Sequence, residues 1–430
     1  MAQHRHRVVI VGGGFGGLAA AKALAGSDAE VVVIDRRNHH LFQPLLYQVA
    51  TAALSPSEIA WPIRHLLRRQ ANARVLMATV TGIDTGSRAV LLEDGSREPY
   101  DSLILATGAQ HAYFGHDEWE AYAPGLKTLE DAIAIRRKLL LALEAAERES
   151  DPARRRSLLT FAIIGAGPTG VEMAGAIVEL GRASLKGQFH TLAPEDLRVV
   201  LIEGADRVLL NFDPALSAYT LHSLREMGVE VELDQKVTAI DADGVGFGDK
   251  RLGTSTIIWA AGVAASPVAR WLGVEGDRAG RIRVAPDLSV PGHPEIHVIG
   301  DAASIVDDDG RPVPGVAPAA KQQGKHVARV IRRRLAGDTG ALPFHYAHAG
   351  DLATIGKRSA VIDFGRVKLH GWLAWWVWGF AHIYFLVETR TRIFITLSWL
   401  WIYLTGQRSA RLITHGDATS DKPLEEVDED

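Results

Sequence analysis

The chain has no cysteine in 430 residues. Disulfides, iron–sulfur clusters and cysteine-held zinc are therefore excluded. It has little net charge: 47 Lys and Arg against 51 Asp and Glu leave −4. That is too near neutral to suggest a nucleic-acid partner. No apolar segment follows Met1-Ala2-Gln3-His4-Arg5-His6-Arg7 before the first β-like run, so no secretory signal is read and folding in the cytoplasm is expected. Long apolar runs are scarce as well. Gly371 to Val387 is marginal, and Ile393 to Thr405 too short, against the roughly 20 residues that a membrane span requires. What is present, 47% hydrophobic content over 430 residues, suffices for two or three domains with large cores.

One glycine-rich pattern occurs twice. Val8-Val9-Ile10-Val11 runs into Gly12-Gly13-Gly14-Phe15-Gly16-Gly17, and Asp35 closes the later run Val31 to Ile34. Phe161-Ala162-Ile163-Ile164 runs into Gly165-Ala166-Gly167-Pro168-Thr169-Gly170, and Glu203 closes Val199 to Ile202. A single such turn occurs by chance in ordinary α/β proteins. Here each copy leaves a β-branched strand, opens a helix and ends on an acid after a second strand, which is the context of a dinucleotide-binding unit. Gly12 and Gly165 permit the tight turn. Gly14 and Gly167 admit a pyrophosphate to the backbone, and Gly17 and Gly170 let helix and strand pack closely. The pyrophosphate then rests on the helix N-terminus, and the acid accepts from ribose hydroxyls. An insertion, Gly181 to Asp196, lengthens the usual spacing of about 20 residues and makes Glu203 the less secure acid. Two such units in one chain are the layout of a flavoprotein that takes hydride from a nicotinamide.

The first unit continues through a hairpin-like turn at Leu91 to Gly95 and a buried strand ending at Thr107-Gly108. A polar, arginine-rich stretch from Glu147 to Ser157 reads as a helix end and linker before the second unit. The strand Thr256 to Gly262 closes that unit, and Ile296 to Ala303, with Gly300-Asp301-Ala302, returns to the first. The second domain is thus inserted in the first. The predicted organisation is an α/β protein with two Rossmann-like domains: residues 1–112 with 263–345, and 113–262. A membrane-association region over 346–414 and an acidic, disordered tail over 415–430 follow.

Six of the ten tryptophans fall between Trp372 and Trp401. Arg366, Lys368, Arg390, Arg392, Arg408 and Arg411 surround a single acid, Glu388. Three readings compete: a buried helix pair, a transmembrane hairpin, and an amphipathic anchor lying in the membrane interface. Tryptophan prefers the headgroup boundary and arginine meets anionic lipid there, so the interfacial anchor is expected.

Taken together, these residues resemble the two-dinucleotide-binding-domain flavoprotein reductases. Among them the chain is similar to the type II NADH:quinone oxidoreductases, single-chain NADH dehydrogenases that do not pump protons. The resemblance spans Val8 to about Ile413. It rests on Asn38 to Ala50, Ala106-Thr107-Gly108-Ala109, Gly165 to Glu172, Ile299 to Ala302, Asp351 to Lys357 and Trp399 to Ile413. It implies that Gly12, Gly14, Phe15, Gly17, Asp35, Arg36, Thr107, Gly108, Asp301 and Ala302 hold FAD. Without cysteine for a thioether link, that FAD is expected to be non-covalent. Gly165, Gly167, Gly170, Glu203, Ala261 and Gly262 are implied to hold NADH. Glu172, just inside the second helix, is implied to face the nicotinamide–flavin contact as the catalytic group, with capping or pairing within the helix as its alternative role. For quinone, similar proteins use a helix whose motif here reads Ala317-Pro318-Ala319-Ala320-Lys321-Gln322-Gln323-Gly324. The commonest form carries glutamine where this chain has Pro318, so Gln322, Gln323 and Lys357 become the candidate quinone residues. Solvated polarity is the alternative for the glutamines, and a surface charge for the lysine.

The lack of cysteine separates this reading from neighbouring disulfide reductases, sulfide:quinone reductases and NADH oxidases. The expected partners are NADH, a membrane quinone and an anionic lipid surface at the cytoplasmic face of the cell membrane, as a peripheral or monotopic protein. No metal is indicated, and a homodimer is among the assemblies compatible with the chain. A soluble reductase of a ferredoxin-type protein is the alternative enzyme, and a redox-sensing flavoprotein the alternative class.

Overall fold

The computed structural model describes residues 5–386, 388–406, 408 and 410–413; the acidic stretch 415–430 lies outside them. The strands His6–Val11 and Ala29–Asp35 pair in parallel. Their inner residues Val8 to Ile10 and Val31 to Ile34 have no exposed surface, because a parallel sheet is covered by chain on both faces. They sit in a six-stranded sheet ordered Ser289–Val290, His293–Val298, Ser102–Leu105, His6–Val11, Ala29–Asp35, Ala73–Met77. The second sheet is ordered Val229–Glu232, Arg198–Ile202, Thr160–Ile164, Thr256–Trp259, all parallel. The chain leaves the first sheet after Leu105 and returns at Ser289. The two crossing segments, Ala109–His111 and Val263–Ala265, pair antiparallel as a ribbon.

Both glycine turns have the backbone the sequence calls for. Gly12 and Gly165 lie at φ +105° and +97°, a region closed to most side chains. A Cβ on Gly17 or Gly170 would overlap the carbonyl oxygen of Gly12 or Gly165. The helix Phe15–Ala23 is in turn crossed by Ala317–Leu335 at a glycine pair, where a Cβ on Gly324 would overlap the Gly16 carbonyl.

Two regions depart from expectation. The arginine-rich linker contains a short helix, Pro152–Leu158, begun by the Asp151 carboxylate accepting from the Ala153 N–H at 3.0 Å. The C-terminal region opens as core rather than surface. Strands Asp351–Thr354, Ala360–Asp363 and Lys368–His370 form an antiparallel sheet. Its Ala353 and Val361 are fully buried in one cluster with Val171, Ala174 and Ile177 of the helix Pro168–Leu185. The helices Gly371–Phe385 and Thr389–Thr405 follow. They bury Ala374, Trp378, Thr391 and Ile395, while Trp372, Trp376, Phe380, Leu397, Trp401 and Leu404 are exposed. The buried-pair and interfacial readings each describe one face. No described helix is long and apolar enough to cross a membrane.

Of the basic residues of this region, Arg408 is buried, Arg392 and Arg411 are half-buried, and Arg366, Lys368 and Arg390 are exposed. Arg392 donates to the carbonyls of Tyr384 (2.9 Å) and Leu386 (2.9 Å), closing the first helix. Buried Arg408 donates to the Thr51 carbonyl (2.7 Å) and pairs with Glu179 (3.1 Å). Arg411 donates to Ser184 Oγ, and Lys368 pairs with Asp213. Glu388, between the helices, stands 3.7 Å from Arg68 and 3.8 Å from His65. The polar interruption is fastened to protein.

Candidate active site

A cavity of about 830 Å³ reaches both fingerprints and is lined, among others, by Gly12, Gly14, Phe15, Asp35, Arg36, Thr107, Gly108 and Asp301. Both Asp35 oxygens already accept backbone N–H groups, from Gly13 at 2.6 Å and Arg37 at 2.8 Å. The carboxylate is thereby fixed with lone pairs to spare for ribose hydroxyls. Glu203 repeats the arrangement, accepting from Ala166 at 2.6 Å and Ala205 at 2.9 Å. The insertion before it is absorbed by the long helix Pro168–Leu185 and a short turn, so the acid reaches the same place.

The site fits a dinucleotide on structural grounds. Gly14 and Gly167 are the N-caps of the two fingerprint helices, and neither helix is capped by a side chain. Nothing stands within 4 Å of where a Cβ on either glycine would begin. First-turn N–H groups facing open space are the natural seat for a pyrophosphate. Asp301 and Lys127 line the same cavity, the acid raised and the lysine lowered by burial, each opposed by the other's charge. Ala302 is buried and behind the wall. Gly165, Gly167, Gly170, Glu203, Ala261 and Gly262 also lie outside the lining of this cavity, which the second fingerprint reaches through Pro168, Thr169 and Glu172.

Glu172 lines the large cavity and a second one of about 60 Å³ behind it. Burial pushes its carboxyl up to about 8, opposed by the Thr354 N–H it accepts at 3.4 Å. Thr354 Oγ1 bonds Tyr47 Oη at 3.0 Å, Gln48 Nε2 donates to Tyr47 Oη at 3.0 Å, and Trp399 Nε1 donates to Gln48 Oε1 at 2.7 Å. A buried polar chain thus runs from the C-terminal helix to Thr354, whose N–H meets Glu172. The helix-capping alternative for Glu172 finds no support in these contacts. Sequence reading singled out both stretches, Asn38 to Ala50 and Asp351 to Lys357, without assigning Tyr47, Gln48 or Thr354 a part. Their spacing in the chain gave no sign that a strand, a short helix and the C-terminal helix meet.

Phe42, Pro318, Lys321, Ala381, His382 and Phe385 line the cavity beside Phe15. His382 Nδ1 hydrogen-bonds the Trp378 carbonyl at 2.8 Å, its ring stacks on Trp378, and burial pushes its pKa down to about 4. With Nδ1 donating to the carbonyl, Nε2 of the neutral ring is left as an acceptor.

The candidate quinone residues are placed elsewhere. Gln323 is buried and accepts from the Gly300 N–H at 2.6 Å, holding the turn that carries Asp301. Gln322 both donates to and accepts from the backbone of Ala347, at 2.8 and 3.0 Å. Neither lines the large cavity. Lys357 lines only the smaller one, and its N–H donates to Glu179 at 2.6 Å. The helix phase, set by the Gly16–Gly324 contact, turns Pro318 and Lys321 to the cavity instead. Among the described residues no group of three His, Asp or Glu could hold a metal ion.

The fold and this paired site define a pyridine-nucleotide flavoprotein. Residues 6–324 match the family described as pyridine nucleotide-disulphide oxidoreductase, and 348–408 the NDH2 C-terminal domain. The chain is 44% identical over 439 residues to the type II NADH:quinone oxidoreductase Ndh of Mycobacterium tuberculosis, covering 99% of this chain and 94% of that one. It is 30% identical to the type II NADH:quinone oxidoreductase of Staphylococcus haemolyticus, covering 85% and 92%. A solved structure of NDH2 from Plasmodium falciparum in complex with NADH superposes with a TM-score of 0.87 at 20% identity, covering 96% of this chain and 100% of that one. The chain belongs to the type II NADH:quinone oxidoreductase family. The disulphide of the broader family's name has no counterpart in a chain without cysteine.

Proposed function

We propose that the large cavity is where the family's reaction, oxidation of NADH by a quinone through FAD, takes place in this chain. The observation that carries this reading is one continuous cavity running from the Asp35 fingerprint past Glu172 to the C-terminal helices. Asp35 and the Gly14 helix end would hold FAD, with Asp301 beside them. Bound there, FAD supplies hydride acceptance and electron release. Glu203 and the Gly167 helix end bind and orient NADH. Glu172, protonated across much of the neutral range because burial raises its carboxyl, holds a proton beside the point where the reactants meet and can give it up or regain it near pH 8. The aromatic wall of Phe42, His382 and Phe385 receives the acceptor ring and excludes water.

The C-terminal helices supply the approach for a lipid-soluble acceptor. Trp376, Phe380, Leu397 and Trp401 are each 45% or more exposed, and contiguous apolar exposure of this kind marks a docking face. We infer that this face rests in the interface of the cytoplasmic leaflet, with Arg390, stacked over Phe394, meeting the headgroups. A soluble ferredoxin reductase has no use for such a face. The deciding assay compares steady-state NADH oxidation by the FAD-loaded protein with a water-soluble quinone, a ferredoxin and oxygen. Quinone is expected to give the highest rate; preference for ferredoxin would overturn the assignment.

A further inference from the structure

Lys321 has surroundings unlike the other charged groups of the cavity. Its helix, Ala317–Leu335, begins four residues before it, and Pro318 lies one turn earlier on the same cavity wall. Proline offers no amide or hydroxyl, so that turn provides no side-chain donor. Nζ of Lys321 lies 5.1 Å from the ring centre of Phe15 and 5.2 Å from that of Phe385. One ring belongs to the first fingerprint, the other to the C-terminal helix. Among the described residues Lys321 makes no ion pair and no side-chain hydrogen bond. The charges around it are Lys22 and Lys325, with neutral His40 nearby. An ammonium that lines a cavity between two aromatic faces, among cations and without a carboxylate, suits a ligand oxygen that gains negative charge.

We propose that Lys321 is the acceptor-binding donor of this chain, its ammonium, set between Phe15 and Phe385, hydrogen-bonding a carbonyl oxygen of the quinone. The inference rests on the reading of this part of the cavity as the quinone site. Burial and the two neighbouring lysines push the amine down to about 8, leaving it mostly protonated at neutral pH. Reduction places electron density on the bound oxygen, so the contact strengthens as the acceptor is reduced, the condition for favouring electron transfer and not binding alone.

The test uses full-length, FAD-loaded protein and ubiquinone with a single isoprene unit. In K321M the kcat/KM for quinone is expected to fall about tenfold or more, the scale of one lost charge-assisted hydrogen bond. Stopped-flow reduction of the flavin by NADH without quinone provides the reference for each variant. A wild-type kcat/KM for quinone in K321M would overturn the proposal. So would a fall confined to flavin reduction, which would assign the lysine to the cofactor. If K321M retains little FAD, K321Q carries the test: it keeps a donor without the charge and should lie between wild type and K321M. Loss of FAD from both variants also overturns the proposal. Should the wild type fail to reduce the quinone at all, the quinone-site reading itself fails, a separate result.

Discussion

In the proposed reaction Glu172 is the residue of this chain that holds and moves a proton. Its carboxyl is raised to about 8 by burial, so the folded protein keeps a proton that the unfolded chain releases near 4.5. In that window the native state binds more protons, and stability falls as pH rises, by at most about 1.4 kcal/mol per pH unit. Glu172→Gln removes the titration. The variant's melting temperature should therefore decline less than the wild type's between about pH 5 and pH 8. It should retain flavin while kcat at neutral pH falls by about a hundredfold, the range of general acid–base catalysis. Wild-type turnover in Glu172→Gln would reduce the residue to a structural one.

Glu203 yields a second residue-scale expectation. Two backbone N–H groups hold its carboxylate in place, so a 2′-phosphate would meet a fixed negative charge. Arg207, the cation that could offset it, donates to the Leu210 carbonyl at 2.8 Å. NADH should exceed NADPH in kcat/KM by at least about tenfold, and Glu203→Gln should narrow the gap. Equal values in the wild type would remove the role assigned to Glu203.

At the scale of elements, one crossing decides which side chains reach the cavity. The helix Ala317–Leu335 touches Phe15–Ala23 through Gly324 and Gly16, and this fixes its rotation. Gln323 consequently turns inward to the Gly300 N–H, and Lys321 turns to the cavity. Sequence reading located this helix but not its phase. The motif shows two adjacent glutamines and a lysine, and nothing in their order says which faces the cofactor. The fingerprint glycines were legible because their requirement is local, a backbone at positive φ and two close approaches. Gly324→Ala should force the helices apart, lowering stability by about 2 kcal/mol, the usual range for overpacking. It should also weaken FAD retention, since the Gly300–Asp301 turn hangs from Gln323. Flavin per polypeptide and melting temperature read both effects, and unchanged values of each would show that the crossing tolerates a Cβ.

At the scale of the whole molecule, the C-terminal helices bind the catalytic units as well as the proposed membrane face. Their tryptophans point both ways, Trp378 into the core and Trp376 out of it. Apolar residues on both faces erase the periodicity from which a buried side is read, and so the sequence, read for an interfacial anchor, did not show the face that packs as core. The structure changes how the anchor can be tested. Trp378, Leu386, Ile395 and Ala410 share one core cluster with the helix Pro168–Leu185, and Arg408 pairs with Glu179 on that helix. Removing everything after His370 would therefore strip core from around the helix Pro168–Leu185, and its loss of activity would say little about lipid. Replacing Trp376, Phe380, Leu397 and Trp401 together by serine leaves that core in place. The variant should keep its FAD and reduce ferricyanide with NADH. It should no longer co-sediment with vesicles containing anionic lipid, nor reduce a long-chain quinone held in them. Such vesicles separate a docking surface from a packing defect, because a packing defect would release flavin as well. Should the fourfold variant still co-sediment as the wild type does, the exposed face is not what meets the membrane.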